Sequence, residues 1–163
     1  MLEEAALDPA IHDRAGFDCG VPALNDYLVR FADQHRRRGI TSAFVLTDTS
    51  MPAQILGYYT LSAAEVDAAQ LAEADRKRLP RDPVPCFRMG RLAASSGMRG
   101  QGIGRLLVGC AVDRCLKARE QVTADALIVD AKDTQAKDFY AHYGFTAFAG
   151  RPLMLYLSLG SHA

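Results

Sequence analysis

The run Arg91-Leu92-Ala93-Ala94-Ser95-Ser96-Gly97-Met98-Arg99-Gly100-Gln101-Gly102-Ile103-Gly104-Arg105-Leu106-Leu107 constrains the fold more than any other stretch. An apolar segment enters it from Val84, glycines alternate through its second half and an apolar run at helical spacing leaves it. The pattern reads as strand, glycine turn and helix N-terminus. The first backbone N–H groups of a helix have no intrahelical partner and stand at the positive end of its dipole, so they favour an anion such as phosphate. Gly100, Gly102 and Gly104 place no Cβ between that anion and the main chain.

Two common phosphate loops are excluded by spacing. A P-loop requires Lys-Ser or Lys-Thr after its last glycine, and neither follows. A dinucleotide-binding turn requires Gly-x-Gly-x-x-Gly and an acid about twenty residues on; here the order is Gly-x-Gly-x-Gly with no strand ending in such an acid.

The rest of the chain supplies the context for that turn. At 163 residues, one domain spanning 1–163 is expected, with enough core to fold without a disulfide or metal. Apolar residues make up 49% and charged residues 23%, the balance of a water-soluble protein, and no apolar run approaches a membrane span. The absence of a basic-then-apolar leader makes the cytoplasm the default location. Cys19, Cys86, Cys110 and Cys115 show no Cys-x-x-Cys spacing and read as buried thiols, with no metal implied. Net charge is zero, but bases cluster as Arg36-Arg37-Arg38, as Arg76-Lys77-Arg78 with Arg81, and as Arg88, Arg91, Arg99 and Arg105.

In order, residues 7–14 read as a short edge strand or a loop. A helix, whole or broken in two, is expected over 22–38, opening on Pro22 and closing at Gly39. Residues 41–47 and 55–64 form an antiparallel hairpin, 68–79 a helix with a basic end, and 86–94 the strand before the glycine turn. A broad apolar face over 102–119 suits a helix lying on a sheet. Residues 127–131 have the continuous apolar character of a buried parallel strand. Asp133 caps a helix that stops at Gly144, and 145–148 and 153–159 are the closing strands.

Arg99-x-x-Gly102-x-Gly104 resembles the pyrophosphate-binding signature of the GNAT N-acetyltransferases, which grip coenzyme A with it. Downstream, Ala136-Lys137-Asp138-Phe139-Tyr140-Ala141-His142-Tyr143-Gly144-Phe145 resembles that family's Ala-x-x-Phe-Tyr-x-x-x-Gly-Phe motif. The resemblance implies an α/β (α+β) fold. Its centre is a mixed, mostly antiparallel sheet of six to seven strands, flanked by helices and opening in a V between the central strands. It also implies an acetyl-CoA site at Leu92, Ala93, Ala94, Arg99, Gly100, Gln101, Gly102, Ile103, Gly104 and Arg105, with Tyr140 as general acid. From its sequence context alone, Tyr140 also reads as a core aromatic between Phe139 and Tyr143.

A narrower resemblance lies in Phe17-Asp18-Cys19-Gly20-x-x-x-Leu24-Asn25-x-Tyr27-Leu28 and Gly90-Arg91-Leu92-Ala93, which are similar to the acetyltransferase toxins of bacterial toxin–antitoxin pairs. Where relatives commonly carry Val-Asp, this chain has Ala94-Ser95. The resemblance implies acetylation of the α-amino group of aminoacyl-tRNA, arrest of translation, a ribbon-helix-helix antitoxin and a homodimer. The basic residues Arg36, Arg37, Arg38, Arg76, Lys77, Arg78, Arg88 and Arg91 then become candidates for the tRNA phosphates.

The residues themselves bear on the acceptor. The central strand, Cys86-Phe87-Arg88-Met89-Gly90-Arg91-Leu92, holds no acid to act as base. A lysine amine, with a pKa near 10.4, needs one, whereas an α-amine near 7.7–8.0 is largely neutral already. Two other functions remain open on the sequence: acetylation of a small amine or protein N-terminus, and non-catalytic binding of acyl-CoA.

Overall fold

The structure is a computed structural model that describes residues 1–77 and 83–160. Its elements are β1 (Leu2–Ala6), α1 (Pro22–Arg30), α2 (Ala32–Arg37), β2 (Ser42–Asp48), β3 (Gly57–Val66), α3 (Glu73–Arg76), β4 (Val84–Ala94), α4 (Ile103–Ala118), β5 (Ala126–Asp130), α5 (Thr134–His142), β6 (Thr146–Phe148) and β7 (Arg151–Ser158). Short 3-10 turns lie at Ala68–Gln70 and Ser96–Met98. The strands form one seven-stranded sheet in the order β1-β2-β3-β4-β5-β7-β6. The pairs β1–β2, β2–β3, β5–β7 and β7–β6 are antiparallel, and β4–β5 is parallel. This is the mixed sheet with flanking helices that the sequence implied. The parallel ladder runs from Cys86–Ala126 to Met89–Val129, while β4 continues to Ala94.

Two compact units divide the chain, the first holding Met1–Ser62 and Gly90–Ala111, the second Ala63–Met89 and the chain from Val112 on. In the first, Leu28 and Ala32 of the two short helices pack with Leu7, Phe17, Val45, Tyr58 and Ala93. The helix expected over 22–38 is broken at Phe31, whose N–H still closes α1 on Tyr27 O while its own φ and ψ leave the helical range. In the second unit, register places Ala126 and Ile128 on one face with Met154 and Tyr156 of β7. That face packs with Val66, Ala68, Leu71, Val84 and Cys86.

Two expectations need correction and one is narrowed. Residues 7–14 take the loop alternative, and the edge strand lies before them at 2–6. Leu2-Glu3-Glu4-Ala5-Ala6 has little β propensity of its own and is held as an edge by its ladder with β2, reinforced by a 2.6 Å bond from the Tyr59 hydroxyl to Glu4 Oε2. The helix expected over 68–79 is, in its described part, two short pieces. Asp67 accepts the Ala69 N–H, and the Tyr156 hydroxyl accepts the Ala72 N–H at 2.9 Å while donating to Asp75 at 2.6 Å, so side chains satisfy the backbone where a continuous helix would have done so. Its end, with Leu79, lies outside the described residues. Of the four thiols, Cys86 and Cys115 are buried but Cys19 and Cys110 are half-buried.

Gly57 fixes how closely β3 approaches the glycine turn. A Cβ there would stand 2.9 Å from Ala93 O, 2.8 Å from Leu107 Cδ1 and 3.0 Å from Ile103 Cγ2. Gly57→Val should therefore cost about 1–3 kcal/mol by overpacking. Denaturant midpoints measured with an unchanged m-value check this; an unshifted midpoint would mean that the helix start yields freely.

Candidate functional site

The glycine turn is pinned at its entry by backbone bonds and freed at its exit by backbone conformation. Ser95 N–H donates to Leu56 O and Ser96 N–H to Asp18 O, each at 2.8 Å. The Ala94-Ser95 departure therefore falls where main-chain atoms hold the loop. Gly100 and Gly102 have φ of 77° and 74°, in the left-handed region, and a Cβ on either would meet nothing within 4 Å. Gly104, equal to them in the sequence pattern, lies within the first turn of α4 and has no positive φ. The turn thus presents an open main-chain surface at the start of a sixteen-residue helix. Ile103 anchors that helix, 2% exposed.

The Phe17-Asp18-Cys19-Gly20 motif buttresses this turn. Asp18 Oδ1 accepts the Gly20 N–H at 2.8 Å and Asn25 Nδ2 at 2.9 Å, and Asn25 Oδ1 accepts the Cys19 N–H at 2.9 Å. The Gly20 and Asn25 bonds, with the Arg99 charge adding a smaller part, hold the Asp18 carboxyl below its usual range. At Gly20, whose φ is 83°, a Cβ would come within 3.2 Å of Arg99 Nη2 and 3.4 Å of Ser96 Oγ. Gly20, held by Asp18, therefore leaves room for Arg99 to approach, a role the motif's sequence did not reveal.

The basic candidates divide by partner. The Arg91 guanidinium lies 3.5 Å from the centroid of the buried Tyr27 ring, whose hydroxyl meets His35 Nδ1 at 3.0 Å. Arg36 and Arg37 both pair with Asp33, at 2.7 and 3.1 Å, and Lys77 with Glu73 at 3.6 Å. Arg88 is joined to Asp130. Among the described residues Arg38 and Arg76 are exposed cations with no ion pair. Arg78 lies outside the described residues.

Tyr140 sits in the second unit on α5, whose N-terminus is capped by Asp133 accepting the Ala136 N–H at 2.8 Å. Gly144, with φ 95°, turns the chain so that Phe145 N–H returns to Tyr140 O. The Tyr140 ring is 7% exposed and packs against Phe139 and Phe145. Burial, and secondarily the Asp130 charge, push its phenol up to about 12. Among the described residues its hydroxyl has no hydrogen-bond partner. Tyr143 is half-buried against Phe139 and His142 and serves packing.

Two polar groups escaped the sequence reading. Thr60 Oγ1 is buried with no hydrogen-bond partner among the described residues and lies 3.5 Å from where a Cβ on Gly90 would stand. Asp130 ends β5, beside the acid-free strand β4, and Arg88 of that strand is joined to it.

Comparison with known proteins agrees with this geometry. Residues 31–153 match the acetyltransferase (GNAT) domain. The tRNA-acetylating toxin of Mycobacterium tuberculosis (strain ATCC 25618 / H37Rv) is 32% identical over 145 residues, covering 89% of this chain and 85% of that protein. The solved structure of AtaT complexed with acetyl-methionyl-tRNAfMet superposes with a TM-score of 0.90 at 31% identity, covering 97% of this chain and 95% of that one. A mutant AtaT toxin bound to the C-terminus of the antitoxin AtaR and acetyl-CoA superposes with a TM-score of 0.81 at 29% identity, covering 97% and 93%. With the family model spanning most of its length, the chain belongs to the GNAT acetyltransferase family.

Proposed function

We propose that the protein transfers an acetyl group from acetyl-CoA to the α-amino group of aminoacyl-tRNA and thereby arrests translation, as the toxin of a toxin–antitoxin pair. The likeness that carries this reading is the full-length match to a toxin solved with acetyl-methionyl-tRNA. The residues fit the carrier: two left-handed glycines leave an open surface at a long helix's N-terminus, where no Cβ obstructs a pyrophosphate.

Arg99 and Arg105 supply charge to the pyrophosphate, and the main chain of Gly100, Gln101, Gly102, Ile103 and Gly104 supplies donors. Leu92, Ala93 and Ala94 at the end of β4 offer backbone groups to the pantetheine and the acetyl carbonyl. Bound acetyl-CoA contributes a thioester, electrophilic at carbon and carrying a thiolate leaving group. Tyr140 holds the proton that this thiolate needs; as the amine nitrogen bonds to carbon and the C–S bond breaks, the phenol protonates sulfur. The proton shed by nitrogen restores the phenol. Residues 1–163 act as one catalytic domain in the cytoplasm. A homodimeric state and a ribbon-helix-helix antitoxin belong to the same reading, supported by the resemblance of the chain's motifs to such toxins.

The direct test incubates charged tRNA with labelled acetyl-CoA, releases the amino acid and analyses its α-nitrogen. Acetyl on that nitrogen is expected; labelled free amines or peptides with untouched tRNA would overturn the substrate and leave the acetyltransferase. Contact with phosphates has its own signature. Arg38→Ala and Arg76→Ala remove unpaired cations and should each flatten the salt dependence of tRNA binding by about one phosphate's contribution, without changing acetyl-CoA affinity. Unchanged salt slopes would return both to the solvated surface.

A further inference from the structure

Beside the end of β5 lies a cleft of about 330 Å³ lined by Asp130, Ala131, Arg151, Pro152, Leu153 and Met154. Register builds it. Asp130 faces Met154 across the β5–β7 ladder, and the Ala131 N–H donates to Leu153 O at 2.7 Å, so the wall between them is continuous. Asp130 is the first residue of β5 beyond the parallel ladder with β4, and Arg88 reaches it from that strand. Arg88 binds Oδ2 and orients the carboxylate; among the described residues Oδ1 has no partner, and Asp130 is 52% exposed. Arg151 also lines the cleft, its Nη1 3.8 Å from Met154 Sδ.

An oriented anion, an apolar wall of Ala131, Pro152, Leu153 and Met154 and a cation thus occur together. Few ligands match all three. An amino acid esterified to a nucleotide does, with its α-amine, its side chain and the neighbouring phosphate. We propose that this cleft seats the aminoacyl end of the acceptor, with Asp130 accepting a hydrogen bond from the neutral α-amine, Arg151 taking the terminal phosphate and the wall an uncharged, apolar side chain. The assignment rests on the aminoacyl-tRNA reading and adds an amino-acid preference to it. Because Arg88 fixes the carboxylate beforehand, less ordering accompanies binding. Because the wall is apolar, a charged side chain placed there loses its hydration without a partner.

The experiment is steady-state acetylation of tRNA charged with methionine or with aspartate, by wild type, Asp130→Asn and Leu153→Asp. Wild type should favour methionyl- over aspartyl-tRNA by at least about tenfold in kcat/KM. Asp130→Asn should raise KM for methionyl-tRNA about tenfold with kcat within threefold, since the charge-assisted hydrogen bond from the α-amine is weakened. Leu153→Asp alters a side chain already 39% exposed, so it should fold, and it should cut the methionyl preference to below about threefold. Calorimetric affinity for acetyl-CoA, equal in all three proteins, establishes that the fold is intact. If wild type acetylates charged tRNA but shows no preference between the two amino acids, or both variants behave as wild type, the cleft assignment falls alone. If wild type leaves charged tRNA untouched, the assignment and the substrate reading fall together.

Discussion

Tyr140→Phe should bind acetyl-CoA with unchanged affinity, keep its thermal midpoint within a degree or two and lose about 10²–10⁴-fold in kcat, the usual worth of a general acid. Only one oxygen is removed. That oxygen has no hydrogen-bond partner among the described residues, so its loss leaves no orphaned donor or acceptor in the fold, and the ring contacts with Phe139 and Phe145 persist. A core aromatic would therefore show little effect on rate, and a loss below about threefold would make Tyr140 purely structural. The alkaline limb offers a second check. With the phenol held up to about 12, it stays protonated across the working range. The rate should rise as the α-amine is freed near 7.7–8.0 and show no fall through pH 10 that Tyr140→Phe abolishes. The same shift bears on stability. The folded state disfavours the phenolate relative to the unfolded chain, so this contribution is intact below about 10 and is lost as pH rises toward about 12.

The readable parts of the sequence were those governed by local periodicity. The hairpin, the strand and glycine turn, α4, the parallel β5 and the Asp133-capped α5 each carry their own pattern, and each formed within a residue or two of its expected ends. What failed was set by partners distant in sequence. Leu2–Ala6 is a strand because β2 offers it a ladder, and the 68–79 region breaks because Tyr156, some eighty residues on, competes for its backbone. The site divides the same way. The glycine spacing was visible, but which glycines carry left-handed backbone was not. Nor was the close approach of Arg99 to Gly20, some eighty residues away in the chain. The basic clusters misled most. Composition counts charges, whereas Arg36, Arg37, Lys77 and Arg88 already have acids and Arg91 has an aromatic face, which leaves Arg38 and Arg76 as the described tRNA-phosphate candidates without such a partner.

Gly102→Glu should abolish measurable acetyl-CoA binding in a protein that still folds. Two effects act at that position and must be separated. With φ at 74°, any L-residue is strained by about 1–2 kcal/mol, so part of the change is conformational. Gly102→Ala carries that strain without the charge, and because no atom lies within 4 Å of its Cβ, it adds no clash with the protein. The glutamate adds an anion at the helix N-terminus that the pyrophosphate is meant to occupy. Like charges about 4 Å apart at an effective dielectric near 20 repel by about 4 kcal/mol, close to three decades of affinity. Calorimetry should find Gly102→Ala within about tenfold of wild type and Gly102→Glu weakened a hundredfold or more. Equal losses in the two variants would assign the whole effect to backbone strain. Unchanged affinity in folded Gly102→Glu would move the pyrophosphate away from this turn and leave Arg99, Gly100 and Gly102 without a ligand.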